Sequence, residues 1–217
     1  MNLILASNSP RRRQLLALFG WEFQVIPAEV DESTWDNESP SDYVRRLAAS
    51  KARTVGAQAT SDAFIIAADT TVVDGDEILG KPVDDADAER MLRQLRGHSH
   101  QVLSALAVMR VADKSIRADC CVTDVPMRNY DHAEIQAYIA SGDPMDKAGA
   151  YAIQHAGFHP VENLSGCYAN VVGLPLCHLT RTLHSLSITS DAHISTVCQS
   201  TLNYACPVFE SVLRETP

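Results

Sequence analysis

The sequence predicts an α/β domain built on a mixed sheet, and three observations carry that expectation. Strand-like and helix-like segments alternate along most of the 217 residues, the pattern of an α/β chain. Phe64-Ile65-Ile66-Ala67-Ala68 is an unbroken apolar run of strand length, suited to a central strand covered on both faces. Two longer strand-like runs, Gln101 to Val111 and Ile116 to Arg128, are separated only by Ala112-Asp113-Lys114-Ser115. A parallel pair needs a long crossover, so this short connection makes the two antiparallel. The sheet is therefore expected to be mixed, not doubly wound and parallel.

The elements follow in order. Leu3-Ile4-Leu5-Ala6 reads as a short buried strand. Ser9 and Pro10 suit the N-cap and first position of a helix with Leu15, Leu16 and Phe19 on its apolar side and Gly20 as its stop. Trp21 to Ile26 reads as a second strand, and Val30 to Asn37 as an acidic loop. Ser39-Pro40 opens a helix striped by Val44, Leu47, Ala48 and Val55, with Lys51 near the stripe. The run from Phe64 is expected to end at Asp69-Thr70; Thr71-Val72-Val73 then leads to a hairpin turn at Asp74-Gly75-Asp76, with Glu77 to Leu79 returning.

A helix over about Asp84 to Arg96 stops at Gly97, and Asp131 caps another that runs through Ile139 to Gly142. Asp143 to Asn163 reads as irregular, Gly166 to Leu174 as a strand, and Pro175 as the opening of a last helix to about Leu186. Residues 1–187 thus form the domain. Residues 188–217 are an extension rich in Ser, Thr and Cys, either a packed helix using Val208, Val212 and Leu213 or a mobile tail.

Composition narrows the function classes. The 46% hydrophobic content supports a sizeable core, and the net charge of −9 argues against a nucleic-acid binder, which needs a broad basic face. No apolar stretch approaches the ~20 residues that span a bilayer, so no membrane partner is expected. No signal peptide is visible, and the six cysteines form no CxxC pair or zinc-ligand spacing. They read as reduced thiols in the cytoplasm. His98 and His100 read as surface residues.

Positive charge is instead focused at Arg11, Arg12 and Arg13, in the first turn of a helix. Cations there oppose the helix dipole, by about 0.3–1 kcal/mol each. Together with Ser7, Ser9 and the free N–H groups of the helix start, they make a site for an anion. The plainer alternative is a capped surface helix with a basic first turn. Asp69, after a buried run, is either a rigidly held catalytic carboxylate or a cap for the Thr70 or Thr71 backbone. Lys81, between Gly80 and Pro82, is a phosphate ligand or solvated surface. Asp31 and Glu32 are loop charges, or hold Mg²⁺ with Asp69. Gln154 offers a donor and an acceptor to a base edge, or only to water.

In their order along the chain, five motifs resemble those of Maf-type nucleotide pyrophosphatases over about residues 2 to 185. They are Ser7-Asn8-Ser9-Pro10-Arg11-Arg12, Ala68-Asp69-Thr70, Gly80-Lys81-Pro82, Asp146-Lys147-Ala148-Gly149-Ala150-Tyr151 with Gln154, and Gly173-Leu174-Pro175. Any one is weak; their common order is specific. The resemblance implies a fold similar to that of inosine triphosphate pyrophosphatases, a mixed curved sheet flanked by helices in two lobes around a cleft. It also implies a homodimer that hydrolyses a nucleoside triphosphate to monophosphate and pyrophosphate with a divalent cation, Mg²⁺ or Mn²⁺.

Ser-Pro-Arg-Arg followed by Ala-Asp-Thr looks like the branch acting on dTTP and UTP. The branch acting on 7-methyl-GTP typically has tryptophan after the proline and a different residue after the aspartate. Matching motif to motif, the resemblance makes Asp69 the proton acceptor and Arg11, Thr70 and Gln154 the specificity positions. Ser7, Arg12, Glu32, Lys51 and Lys81 bind phosphates or metal, with Glu32 and Asp69 as the metal pair. Asn8 stands where many relatives have a smaller residue, and the segment after Ser187 has no counterpart. The rival reading is a regulatory protein, linked to cell division, that binds the nucleotide without cleaving it.

Overall fold

In the computed structural model, which describes residues 2–215, β1 (Asn2–Ala6) pairs in parallel with β2 (Gln24–Val25) on one side and with β3 (Ala63–Asp74) on the other. Beyond β3 the pairing turns antiparallel through β5 (Ser99–Arg110) and β6 (Ser115–Pro126), while β4 (Glu77–Leu79) folds back on the end of β3. The order is β2-β1-β3-β5-β6, a mixed sheet as the short connections require.

Two strands differ from the sequence expectation. Trp21 to Ile26 shrinks to the edge pair Gln24–Val25, because Trp21 stacks on Phe19, ring centres 4.7 Å apart, and packs against the core instead. And β3 does not end at Asp69-Thr70. It continues to Asp74, since β5 pairs it without interruption, Asp69 opposite Ala105 and Thr70 opposite Ser104. What stops there is the neighbour on the other side: β1 pairs with β3 only as far as Ala67, and the pairing of β3 with β4 begins at Val72.

Helices cover both faces. On one, α1 (Pro10–Ala17), α5 (Tyr168–Val172) and α6 (Leu176–His184) pack on Leu3, Leu5, Ile66, Leu106 and Val108. On the other, α2 (Pro40–Gly56) lays Val44, Ala48, Ala52 and Val55 on Ile4, Ile65, Ala67 and Ala105. A third apolar cluster joins the β4 end of the sheet to α3 (Asp85–Leu95) and α4 (His132–Ala140). Ser9, Ser39 and Asp131 each accept a backbone N–H three residues on, as expected at these helix starts, and Asp84, expected as the first residue of its helix, is instead the cap of α3 in the same way.

Residues 166–174 are not a strand. Tyr168–Val172 is a short helix, and its aliphatic run is too brief for periodicity to decide between the two. Ala169 joins one apolar cluster and Val171 packs against another, while the Asn170 side chain is fully buried between them, bonded to Val102 and Thr123. His100 is likewise not a surface residue: it is 3% exposed, with Nε2 2.8 Å from the Tyr151 hydroxyl, and burial pushes its pKa down to about 4.

After Ser187 the chain forms α7 (Ile194–Leu202) and α8 (Phe209–Arg214), which bury Ile194 and Val212. The Tyr204 hydroxyl stands 3.0 Å from the Leu164 and Gly166 carbonyls. No helix among the described residues is long and apolar enough to cross a membrane.

Candidate active site

The stretch of β3 from Ala68 to Thr71, left by β1 and not yet joined by β4, borders a cavity of about 370 Å³. Open sheets commonly bind ligands where strand ends part in this way. Ser7, Arg11, Arg12, Glu32, Lys51, Asp69, Thr70, Lys81 and Gln154 all line it. A larger hollow, about 820 Å³ between α6 and the segment after Ser187, contains none of them.

Side chains alternate along a strand, so Asp69 shares the α2 face with Ile65 and Ala67. There the Lys51 amine donates to Asp69 Oδ1 and to Glu32 Oε1, both at 2.6 Å. Asp69 and Lys51 are 6% and 8% exposed, so the pair is held away from bulk water. Burial raises the Asp69 carboxyl above the ordinary aspartate range, while Lys51 and Arg12 pull against it and Glu32 adds to the rise. Glu32 is more exposed; burial raises it too, but the Lys51 bond and the charges of Lys81 and Arg12 outweigh this and lower it.

The loop bearing Glu32 is pinned from α2. The Tyr43 hydroxyl donates to the Glu32 carbonyl at 2.9 Å, and burial followed by Asp69 and Glu32 pushes its pKa up to about 12. Arg46 donates to the Ser33 carbonyl and Glu38, with its guanidinium 4.1 Å from the Trp35 ring centre. Asp31 instead turns into the loop and accepts from the Ser33 N–H at 2.9 Å. Of the two adjacent acids, Glu32 is the one at the cavity.

Thr70 leaves on the opposite face, toward α1. Arg12 donates from Nη2 to the Thr70 hydroxyl (3.0 Å), from Nε to the Gly173 carbonyl (2.9 Å), and from Nη1 to Ser7 Oγ (3.5 Å). Loss of water lowers the Arg12 pKa; Asp69 opposes this, and Arg11 reinforces it. Gly173 has φ +120°, and a Cβ there would lie 3.3 Å from Thr70 Oγ1. Only glycine suits this turn.

Arg11 reaches across to Asp146 at 3.4 Å, and the Lys147 amine bonds Asp146 Oδ1 (2.6 Å) and Asp143 Oδ1 (3.0 Å). Lys81 and Gln154 are exposed members of the lining. Lys81 is placed by its neighbour, since the Gly80 carbonyl accepts from the Gly149 N–H at 3.0 Å. Among the described residues, Arg11, Arg12, Lys51, Lys81 and Lys147 therefore line the cavity with Glu32, Asp69 and Asp146, five cations to three carboxylates, an arrangement suited to an extended polyphosphate with an acid beside it.

The donor set also fits a magnesium-like ion. Asp69 and Glu32 meet at the same amine, and these two carboxylates are the oxygen donors that would hold such an ion. No group of three or more His, Cys, Asp or Glu suited to a metal occurs among the described residues. Sequence reasoning missed Tyr43, Ser104 and Asn170 around this site. The one available signal was Ser104, a lone hydroxyl within the apolar run Leu103 to Val108.

The family model described as "Maf-like protein" matches residues 2–186. A dTTP/UTP pyrophosphatase of Geotalea uraniireducens (strain Rf4) is 47% identical over 185 residues, covering 85% of this chain and 95% of the relative. A dTTP/UTP pyrophosphatase of Anaeromyxobacter dehalogenans (strain 2CP-1 / ATCC BAA-258) is 49% identical over 176 residues, covering 80% and 88%. Among solved structures, the Staphylococcus aureus Ham1 protein superposes with a TM-score of 0.46 at 11% identity, covering 94% of this chain and 98% of that one.

Proposed function

The chain belongs to the Maf-like protein family, and from that membership we propose that it is a nucleoside triphosphate pyrophosphatase that hydrolyses dTTP and UTP to the monophosphate and pyrophosphate. Relatives at 47% and 49% identity over most of the chain carry the name dTTP/UTP pyrophosphatase. The observation that carries the assignment onto this chain is the convergence on one cavity of the buried Asp69–Lys51 pair, Arg12 at the start of α1, and Lys81 beyond β4.

Water attacks the α-phosphorus, its oxygen forming the new P–O bond as the bond to the β-phosphate oxygen breaks and pyrophosphate departs. Asp69 orients that water and accepts its proton; a carboxylate raised above its ordinary pKa is the better base. Arg11, Arg12, Lys51 and Lys81 neutralise the triphosphate and the charge that builds on the leaving group. Glu32 and Asp69 would hold the divalent cation, Mg²⁺ or Mn²⁺, which would supply charge neutralisation and Lewis acidity at the phosphates. Enzymes lower such barriers by about 8–23 kcal/mol. Base catalysis supplies about 10²–10⁴-fold, so fixed charge carries most of the rest. Gln154, Thr70 and Arg11 discriminate the base. The working form is a cytoplasmic homodimer with the nucleotide as its partner, and light scattering on the purified protein reads that oligomer directly.

A panel of nucleoside triphosphates with pyrophosphate detection, run with and without Mg²⁺ or Mn²⁺, tests the assignment. The expected result is metal-dependent release of pyrophosphate and monophosphate from dTTP and UTP. Equal rates with GTP would remove the pyrimidine preference. Saturable binding with no monophosphate formed would make the chain a nucleotide-binding regulator.

A further inference from the structure

Behind Thr70, on the side away from the cavity, three polar groups connect in a line. The Thr70 hydroxyl lies 2.7 Å from Ser104 Oγ, directly across from it on β5, and Ser104 Oγ is 2.9 Å from the carbonyl of Asn170. Ser104 and Asn170 are both fully buried. The Asn170 carbonyl is available because α5 ends there: the Gly173 and Leu174 N–H groups both go to Ala169. It has no hydrogen to give, so the single Ser104 proton goes to it. Ser104 can then only accept from Thr70, and Thr70, its own proton engaged, presents lone pairs to Arg12 Nη2 at 3.0 Å. Every hydroxyl direction in the line is fixed from the buried end.

We propose that Ser104 is a positioning residue that acts through Thr70 to hold the Arg12 guanidinium in its polyphosphate-binding pose. Without the Ser104 oxygen, the nearest other acceptor for the Thr70 proton is the Gly173 carbonyl, 3.5 Å away. That oxygen is the one that receives Arg12 Nε. To reach it Thr70 must shift from its present place, which disturbs its own bond to Arg12 Nη2, and the guanidinium loosens. The inference rests on reading the cavity as a polyphosphate site, and its test does not depend on turnover.

Affinity for inorganic tripolyphosphate, measured by calorimetry on the full-length protein, is expected to fall about tenfold in Ser104→Ala, the loss of roughly one charge-linked hydrogen bond. Ser104→Thr, which keeps the hydroxyl, restores it, and in a Thr70→Val background Ser104→Ala costs nothing further. In dTTP hydrolysis the loss appears mainly in KM. Wild-type affinity in Ser104→Ala overturns the proposal, as does an equal loss in the Thr70→Val background, which would mark a general packing effect. A wild type that binds tripolyphosphate but hydrolyses no dTTP strikes the pyrophosphatase reading alone and leaves the affinity comparison decisive. A wild type that binds none overturns both.

Discussion

The Lys51 amine stands 2.6 Å from Asp69 and the same distance from Glu32, so one lysine of α2 joins the central strand to the acidic loop. Both members of the Lys51–Asp69 pair are buried, which makes each depend on the other for its charge. The site is therefore electrostatically tight around its proposed base.

Asp69→Asn keeps the shape of the side chain and removes its basicity. Turnover of dTTP is expected to fall by about 10²–10⁴, with KM changed only a few-fold. Steady-state kinetics on the purified variant checks this, and near-normal kcat would show that another group takes the proton.

Lys51→Met leaves Asp69 buried without its strongest counter-charge, so the carboxyl, already raised, rises further. The acid limb of kcat/KM is expected to move to higher pH. The variant also loses about 3–5 kcal/mol of stability at pH 7, the usual cost of unpairing a buried ion pair. Between the unfolded and folded pKa values of Asp69, the folded form binds the extra proton, so this loss shrinks as pH falls. Urea titrations at several pH values read the slope; a loss that grows on acidification would contradict it.

His100 offers a pH signature separate from catalysis. Its folded pKa of about 4 lies below the ordinary 6.5, so the unfolded chain protonates first on acidification. Stability tied to neutral His100 is complete above about pH 6.5 and is lost toward pH 4, up to about 3 kcal/mol. His100→Gln should lack that component. Parallel urea midpoints for the two proteins over this range would refute the assignment.

Gly173→Ala places a methyl 3.3 Å from the Thr70 hydroxyl at a φ of +120°. The expected cost is more than about 1 kcal/mol of stability, with weaker dTTP binding as Arg12 is displaced from the carbonyl beside it. Thermal melts and KM together test it; a variant unchanged in both would mean the turn readily shifts.

A chain ending at Ser187 exposes the partners of Ile188, Ile194 and Val212, and cuts the Arg181–Glu215 ion pair. Burial of each aliphatic side chain is worth about 1.5–3 kcal/mol, so the shortened protein should melt several degrees or more lower. Among the described residues none beyond Gly173 lines the site cavity, so kcat/KM well below the melting point is expected to stay within a few-fold. A large drop in kcat/KM with an intact melting curve would tie the extension to the reaction.

Much of this was legible from local chemistry. The caps at Ser9, Ser39 and Asp131 mark helix starts because an oxygen there meets a free N–H, a matter of a few neighbouring residues. Asp69 stood out because a charge after five apolar residues needs a reason. What was hidden depends on partners far along the chain. The choice between Asp31 and Glu32 is made by Ser33 on one side and Lys51 on the other. The helix at Tyr168–Val172 is held by Asn170 bonding to β5 and β6, and His100 is buried by Tyr151; neither pairing has a local mark.

The change of neighbours along β3 bears on how such a protein can vary. Asp69 and Thr70 work from opposite sides of one ribbon, and their sides are set by counting from Ala63. Adding or deleting a single residue in that span would trade the two sides, sending the acid toward Arg12 and the hydroxyl toward Lys51. Length there is frozen, and new specificities can arise only by exchanging one side chain for another or by remodelling the loops outside the strand.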